Sequence, residues 1–270
     1  MNAVKTPALV WAVLAGMFLY AALRRFEGAM LYVPSRVLAV NPGSRGLAWE
    51  KVSLLAADGV RVSAWYIPGP RADAPVMLCL HGNGGNLSNR VEKMKIFLGA
   101  GAAQLWVDWR GYGESSGRPS EQGLYRDARA ASGWLASVKG VAPSRLVLYG
   151  ESLGCGPAVE LAASAPSAGL IVDSGFTSVP DMAALVFPWL PSALIATRFD
   201  NLAKLPRVRV PVLFLHSRED DVVPFEMSRR NFEAALGPKR FLEMRGTHND
   251  GFLETGAPYA DAIRDFLSSL

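Results

Sequence analysis

The chain has 270 residues, of which 50% are hydrophobic and 19% are charged. This length suits one large domain with a sizeable core, and the high apolar content with a net charge of only +4 excludes disorder over most of the chain. The two cysteines exclude a disulfide-stabilised scaffold, and the sequence contains neither a Cys/His cluster nor a metalloprotease motif, so we expect no metal and no cofactor.

The first 25 residues predict a membrane anchor. Eighteen uncharged residues run from Thr6 to Leu23, and as a helix they would span about 27 Å, close to the thickness of a bilayer core. Lys5 precedes this segment and two arginines follow it. A cleaved signal peptide is the alternative, but the end of the segment lacks a good small-x-small cleavage site. We therefore expect residues 1–25 to be a single-pass anchor that is not removed.

The anchor also accounts for most of the net positive charge. Lys5, Arg24 and Arg25 lie within the first 25 residues, which contain no acid, and the remainder has 25 basic and 24 acidic residues. Such a balance leaves no basic surface for a nucleic-acid partner. The basic residues that follow the apolar segment, including Arg36, outnumber those before it, which favours a cytoplasmic position for the rest of the chain.

After a loop-rich lead-in at residues 26–48, the chain alternates predicted strands and helices. A hairpin is expected from Glu50–Leu55 and Arg61–Ile67, which alternate in polarity and are joined through Asp58-Gly59. Short apolar runs that suit strands buried on both faces follow at Val76–Leu80, Leu105–Asp108, Leu146–Tyr149, Leu170–Asp173, Val210–Leu215 and Phe241–Met244. Helical patterns lie between them at Leu87–Leu98, Gln122–Ser137, Leu153–Ala165, Phe225–Leu236 and Ala257–Leu270. This order predicts one α/β domain at residues 26–270, with a mostly parallel sheet and helices on both faces.

One connection departs from this alternation. Residues 175–209 join two predicted strands through about 35 residues that are apolar and interrupted by prolines. A connection of this length usually has a function or some structure of its own. We expect a small cap here, in which residues 183–196 would form either a lid or ordinary packing against the sheet.

The motif G-x-S-x-G, which places a serine on a strained turn between a strand and a helix, occurs twice. Ser115 lies in the first match, at residues 113–117, and a loop sequence follows it. Ser152 lies in the second match, at residues 150–154, directly after a predicted strand and before a helical pattern that carries Pro157 in its first turn. The order of strand, turn and helix favours Ser152 as the nucleophile and Ser115 as a loop residue.

The candidate base follows from the order of residues along the chain. Where this motif supplies the nucleophile of a sheet-and-helix hydrolase, an acid and then a histidine follow the serine. The sequence has three histidines, and His81 precedes Ser152. His216 precedes the acidic cluster, which leaves His248, in a polar loop after the last predicted strand, as the base.

The acid that would orient His248 has three candidates. Asp220 and Asp221 lie just past a predicted strand, at the end where sheets of this kind present functional groups. Asp173 ends the preceding strand and is the third candidate. Composition alone does not separate them.

Acyl transfer also needs N–H donors for an oxyanion. The backbone of Leu153 supplies one, because it follows the nucleophile directly. The second is expected from the glycine-rich loop His81–Asn86, where we choose Asn83. This loop matches neither of the glycine motifs that bind phosphate.

These residues resemble the α/β-hydrolase superfamily, and more narrowly its small membrane-anchored serine hydrolases with an HGN-x-GN oxyanion loop, a group that includes protein depalmitoylases. The resemblance covers the chain from about residue 31 to residue 270. It rests on LYVPSR at 31–36, HGNGGN at 81–86, DWRGYGESSG at 108–117, PSEQGLY at 119–125, the motif at 150–154 and DSGFTS at 173–178. By the family pattern the acid falls four residues after His216, at Asp220 rather than Asp221, although Ser217 replaces the usual glycine.

The resemblance implies a serine hydrolase that cleaves carboxylic esters or thioesters through an acyl-enzyme. Because the anchor would hold the site near a bilayer, we expect a lipid-like acyl group in the substrate. A peptidase or amidase of the proline-iminopeptidase type is an alternative, but it would usually need a larger cap with acidic groups. A non-catalytic scaffold on the same fold is a second alternative.

Overall fold

The computed structural model describes residues 5–270, so residues 1–4 of the expected anchor lie outside the described residues. The first helix, α1, runs without a break from Lys5 to Leu31. Within it, Leu9–Leu31 form a stretch of 23 residues that is long and apolar enough to cross a membrane, and the most apolar part of this stretch is not buried inside the protein.

The prediction of a loop beginning at residue 26 is wrong for its first six residues, because α1 continues to Leu31. The sequence from Glu27 to Leu31 contains mostly good helix formers. A tertiary contact also supports this part of the helix, since the ring of Phe26 meets that of Phe187 edge to face at 5.8 Å. Phe187 lies 161 positions further along the chain, so local sequence patterns do not reveal the contact.

The strands and the remaining helices follow the predicted order. The strands are β1 (Val33–Pro34), β2 (Glu50–Leu55), β3 (Arg61–Ile67), β4 (Val76–Leu80), β5 (Gly84–Gly85), β6 (Ala103–Val107), β7 (Leu146–Glu151), β8 (Gly169–Asp173), β9 (Val212–Ser217) and β10 (Lys239–Met244). The helices are α2 (Val91–Gly99), α3 (Glu121–Val138), α4 (Cys155–Ser164), α5 (Val179–Val186), α6 (Asn201–Lys204), α7 (Phe225–Ala234), α8 (Gly251–Thr255) and α9 (Ala257–Ser268).

One eight-stranded sheet organises the domain, in the order β10-β9-β8-β7-β4-β6-β3-β2. β2 and β3 form the predicted antiparallel hairpin, and β3 also runs antiparallel to β6. The other neighbours in this sheet are parallel. The predicted α/β fold with a mostly parallel sheet is therefore confirmed. A short parallel pair of β1 and β5 lies outside this sheet.

The sheet separates two hydrophobic cores because side chains alternate between its faces. In β4, Val76, Leu78 and Leu80 contribute to the core that includes α3 and α4. Met77 and Cys79 point to the opposite core, which includes α2 and α9. Helices therefore cover both faces, which explains why the central strands are apolar throughout.

The connection between β8 and β9 has structure of its own. It contains α5 and α6, and two short 3₁₀ turns lie at Ser192–Leu194 and Leu205–Arg207. This is the long, proline-interrupted segment at residues 175–209. It follows the carboxyl end of β8, which lies beside β7 in the sheet, and so it begins next to the strand that leads into Ser152.

Candidate active site

Ser152 lies at a sharp turn between β7 and α4. Its backbone φ is +51°, in the left-handed region that a residue other than glycine rarely adopts. Gly150 and Gly154 flank this turn, and each approaches neighbouring atoms too closely for a side chain. A Cβ at Gly154 would overlap the carbonyl oxygen of Leu80 in β4, and one at Gly150 would lie 2.8 Å from the Cβ of Ala158. The two motif glycines therefore let the turn lie directly against β4 and α4.

We expect Gly154→Ala to lower the free energy of unfolding by about 2–3 kcal/mol, because the added methyl meets a backbone oxygen that cannot rotate away. The midpoint of denaturant unfolding in detergent measures the effect. Gly133→Ala is the matched control, since a Cβ at this exposed position of α3 meets no atom within 4 Å; it should raise stability by about 0.5–1 kcal/mol. Equal stability of the two variants would contradict this account of the turn.

A continuous chain of hydrogen-bonding groups joins Ser152, His248 and Asp220. The Nε2 of His248 lies 3.0 Å from the Oγ of Ser152. The Nδ1 of the same ring lies 2.7 Å from Oδ2 of Asp220. The serine follows β7, the acid follows β9 and the histidine follows β10, so three strands of one sheet bring together residues that are 28 and 96 positions apart.

Asp220 is held in place as a buried carboxylate. Its Oδ1 accepts hydrogen bonds from the backbone N–H groups of Val222 at 2.9 Å and Val223 at 2.7 Å, and its Oδ2 lies 3.3 Å from Nε2 of His216. Burial alone would raise the pKa of Asp220. The hydrogen bonds from His216 and His248 outweigh burial and hold the pKa of this carboxyl well below its ordinary value.

The two other candidate acids have different contacts. Asp221 accepts a hydrogen bond from the backbone N–H of His248 at 3.1 Å, so it fixes the loop rather than the ring. Asp173 is buried and accepts hydrogen bonds from Tyr149 at 2.6 Å and Tyr259 at 2.9 Å. The geometry therefore separates three acids that composition alone left open, and Asp220 is the one that meets the His248 ring.

His248 is a histidine with raised basicity. Burial would lower the pKa of its ring, but the hydrogen bond and the negative charge of Asp220 raise it above its ordinary value, and Glu151 and Asp173 add to this effect. A basic ring beside a serine hydroxyl can accept the proton of that hydroxyl, which is the requirement for a nucleophile of this type.

The other serine and histidine candidates have structural contacts. The Oγ of Ser115 is fully buried, donates to the carbonyl of Asp108 at 2.7 Å and accepts from the backbone N–H of Ser63 at 2.8 Å. Its expected place in a loop agrees with these contacts. His81 is also buried, and its Nδ1 lies 2.7 Å from the carbonyl oxygen of Gly82.

Asn83 and Leu153, the two candidate oxyanion donors, line the same cavity as Ser152. The backbone carbonyl oxygen of Asn83 fixes the loop, because it accepts hydrogen bonds from the Tyr112 hydroxyl at 2.8 Å and from the backbone N–H of Val33 at 3.2 Å. β5 lies in this loop and pairs with β1. The sequence before β2 therefore helps to shape the loop beside the serine.

Two cavities of different chemistry meet at Ser152 and Asn83. The first, of about 270 Å³, is almost wholly apolar. Its walls come from the end of α1, from residues 176–195 and from Val222 and Val223. The second, of about 360 Å³, is mainly polar, and its lining includes Arg90, Lys93, Glu151, His248 and Asn249. Ser152 thus has an apolar surface on one side and a polar one on the other.

Largely buried charged side chains line part of the polar cavity, and sequence reasoning did not predict how they pair. Lys93 forms ion pairs with Glu151 and Asp173, each at 3.1 Å, and Arg90 forms a third with Glu151 at 3.1 Å. Burial alone would raise the pKa of Glu151, but the positive charges of Arg90 and Lys93 lower it to about 2. Because Glu151 precedes Ser152 in the motif, these ion pairs anchor the turn from below. The position of Glu151 between the first glycine and the serine of the motif was the available sequence signal for a charged group beside the nucleophile.

Comparison with known proteins identifies the family of the chain. Residues 75–201 match a family described as alpha/beta hydrolase fold. The chain is 38% identical to Rv2307c of Mycobacterium tuberculosis over 272 residues, which covers 99% of this chain and 95% of that protein. It is 30% identical to the Arabidopsis thaliana alpha/beta hydrolase domain-containing protein WAV2 over 282 residues, which covers 94% of this chain and 91% of that protein. The chain belongs to the α/β-hydrolase family.

Solved structures of other proteins share the fold of this chain. The esterase Pf2001 of Pyrococcus furiosus superposes with a TM-score of 0.75, covering 88% of this chain and 98% of that one. The identity is 17%, so this likeness concerns the fold alone. The resemblance to α/β hydrolases that the motifs carry is thereby confirmed for the family and for its fold.

Proposed function

We propose that this α/β-hydrolase is a membrane-anchored serine hydrolase that cleaves carboxylic esters or thioesters with a lipid-like acyl group. One observation carries the proposal: the hydrogen-bonded chain of Ser152, His248 and Asp220 ends at the junction of an apolar and a polar cavity. An ester with an acyl chain on one side of its carbonyl and a polar leaving group on the other matches this arrangement.

In the proposed reaction the Oγ of Ser152 attacks the carbonyl carbon while Nε2 of His248 takes its proton. The backbone N–H groups of Asn83 and Leu153 would stabilise the negative oxygen that results. His248 then returns the proton to the leaving alcohol or thiol, and an acyl-enzyme remains. Water attacks this ester with His248 again as the base, which releases the acid and regenerates the serine. Asp220 holds the ring and stabilises its charged form.

The apolar α1 supports an anchor at the start of the chain. We assign residues 1–25 to this anchor, with the hydrolase domain at residues 26–270 and a small cap at 175–209. The excess of basic residues after the apolar segment supports a cytoplasmic hydrolase domain. The structure adds that α1 extends past residue 25, so the helix belongs partly to the domain.

An amidase that holds a substrate amine with acids of the cap finds less support. The two acids of that segment make local contacts: Asp200 caps α6 by accepting from the N–H of Ala203 at 3.0 Å, and Asp181 accepts from the hydroxyl of Thr177. Glu151, which does face the polar cavity, is paired with Arg90 and Lys93.

We expect Ser152→Ala to abolish hydrolysis of acyl esters and labelling by a fluorophosphonate, with a loss of roughly 10⁴-fold or more in kcat.

Asp220→Asn should lower kcat by about 10³- to 10⁴-fold, because His248 loses the partner of its Nδ1. Asp221→Asn is the matched control, since this side chain accepts a hydrogen bond from the backbone N–H of His248 rather than from its ring; its effect should stay below about tenfold. Equal losses of kcat in the two aspartate variants would show that the assignment of Asp220 as the acid is wrong.

The activity should depend on the protonation of His248. The base must be neutral to accept the serine proton, and its pKa is raised above the ordinary 6.5, so kcat/KM should fall as the pH drops through a midpoint above 6.5. In Asp220→Asn the residual activity should persist to lower pH, because the carboxylate that raises the pKa is gone. A pH–rate profile of both proteins tests this, and an identical acidic limb in the two would refute it.

A series of acyl esters from two to sixteen carbons, assayed with the detergent-solubilised protein, tests the apolar cavity. We expect kcat/KM to rise with chain length while the chain fits the cavity, since each buried CH₂ adds roughly 0.8 kcal/mol of binding. Ser152→Ala measured beside it corrects for hydrolysis by detergent micelles. Much faster turnover of the shortest, water-soluble esters would contradict a lipid-like acyl group.

A further inference from the structure

The last turns of α1 belong to the cavity that contains Ser152. The side chains of Leu23, Phe26, Glu27, Met30 and Leu31 line it together with the serine. They face the segment at residues 176–195, which forms the opposite wall. Residues of the helix that carries the membrane-spanning stretch thus lie within the same apolar space as the reacting hydroxyl.

Specific contacts hold this part of α1 on the domain. The carboxylate of Glu27 accepts hydrogen bonds from the backbone N–H groups of Thr197 at 2.6 Å and Ala196 at 3.3 Å, and it pairs with Arg24 at 2.9 Å. The side chain of Glu27 is only 10% exposed. Together with the contact of Phe26 and Phe187, these bonds join the helix to the cap through side chains and backbone.

The helix has no break between the apolar segment and the cavity. α1 is continuous from Lys5 to Leu31, and the first charges after the apolar segment are Arg24 and Arg25, which suit the level of lipid headgroups. The remaining residues to Leu31 add about 10 Å of helix beyond that level. With α1 across a bilayer, a cavity wall built from them would lie next to the membrane surface.

From this we infer that residues 23–31 of α1 form the membrane-side wall of the acyl pocket, so that an acyl chain slides from the bilayer along the helix to Ser152 without entering water. The inference rests on the proposed function, because it takes the apolar cavity as the acyl pocket. It adds that the anchor is part of the substrate-binding site and selects for long chains. The physical reason is that exposing an acyl chain to water becomes more unfavourable with every CH₂.

A photoreactive probe tests the position of the chain directly. The full-length protein in phosphatidylcholine vesicles is treated with a hexadecyl fluorophosphonate that carries a diazirine near the end of its chain. Ser152 displaces fluoride from phosphorus as its proton leaves, and light then releases N₂ and leaves a carbene that inserts into a neighbouring bond. Trypsin separates residues 26–36 from residues 146–198, which contain Ser152 and the cap.

We expect mass spectrometry to show peptide 26–36 joined to peptide 146–198. A labelled Ser152 with crosslinks confined to peptide 146–198 or to lipid would overturn the inference and leave the proposed function standing. No label on Ser152, with Ser152→Ala as the reference, would overturn both.

Two variants of α1 give an independent measurement. In Phe26→Ala/Met30→Ala the wall loses two large side chains, and the ratio of kcat/KM for a sixteen-carbon ester to that for a four-carbon ester should fall about tenfold. The ratio within one protein cancels any loss of folded enzyme. Phe18→Ala is the matched control, because Phe18 is 78% exposed and lies on the same helix before the arginines. An unchanged ratio in the double variant, or an equal fall in Phe18→Ala, would overturn the inference.

Discussion

The close approach of the serine turn to β4 is the constraint on which the site depends. Gly154 lies so near the carbonyl oxygen of Leu80 that no residue with a side chain fits at this position. The turn holds Ser152 in a left-handed conformation, and the loop that begins after Leu80 passes beside it, so that a Cβ added at Gly82 would lie 3.4 Å from the serine Cβ. The positions of the nucleophile and of the candidate oxyanion donors therefore depend on this one contact between the turn after β7 and the end of β4.

Buried charge is the second condition of the site. Lys93 and Asp173 are almost completely buried, and such groups persist in a protein interior only when they are paired. Here the pairing includes Glu151 and the hydroxyls of Tyr149 and Tyr259, so the negative groups near Ser152 have fixed partners. Asp220 has a separate set of partners, because backbone N–H groups and the rings of two histidines surround its carboxylate. The site thus holds several carboxylates close together, and Glu151 and Asp173 share the ammonium group of Lys93.

Much of the fold was predictable from the sequence because its signals are local. Apolar runs marked the central strands, and the two glycines around Ser152 marked the turn, since both patterns reflect contacts made by every sheet of this kind. The choice among Asp173, Asp220 and Asp221 was not local, because it depends on which carboxylate oxygen meets a ring 27 or more residues away. The extension of α1 past residue 25 was missed for the same reason, as Glu27 and Phe26 find their partners in the cap.

Ser152 lies where the apolar and the polar cavity meet. Since the apolar and polar cavities lie on different sides of Ser152, the alcohol or thiol would be released on the polar side when the ester bond breaks, while the acyl group stays bound to Ser152 on the apolar side. Water would then release the fatty acid into the apolar cavity, and by the inference above the acid would return along α1 to the leaflet. The polar product would leave into water. Re-formation of the ester at this site would then require the two products to return to Ser152 from different phases.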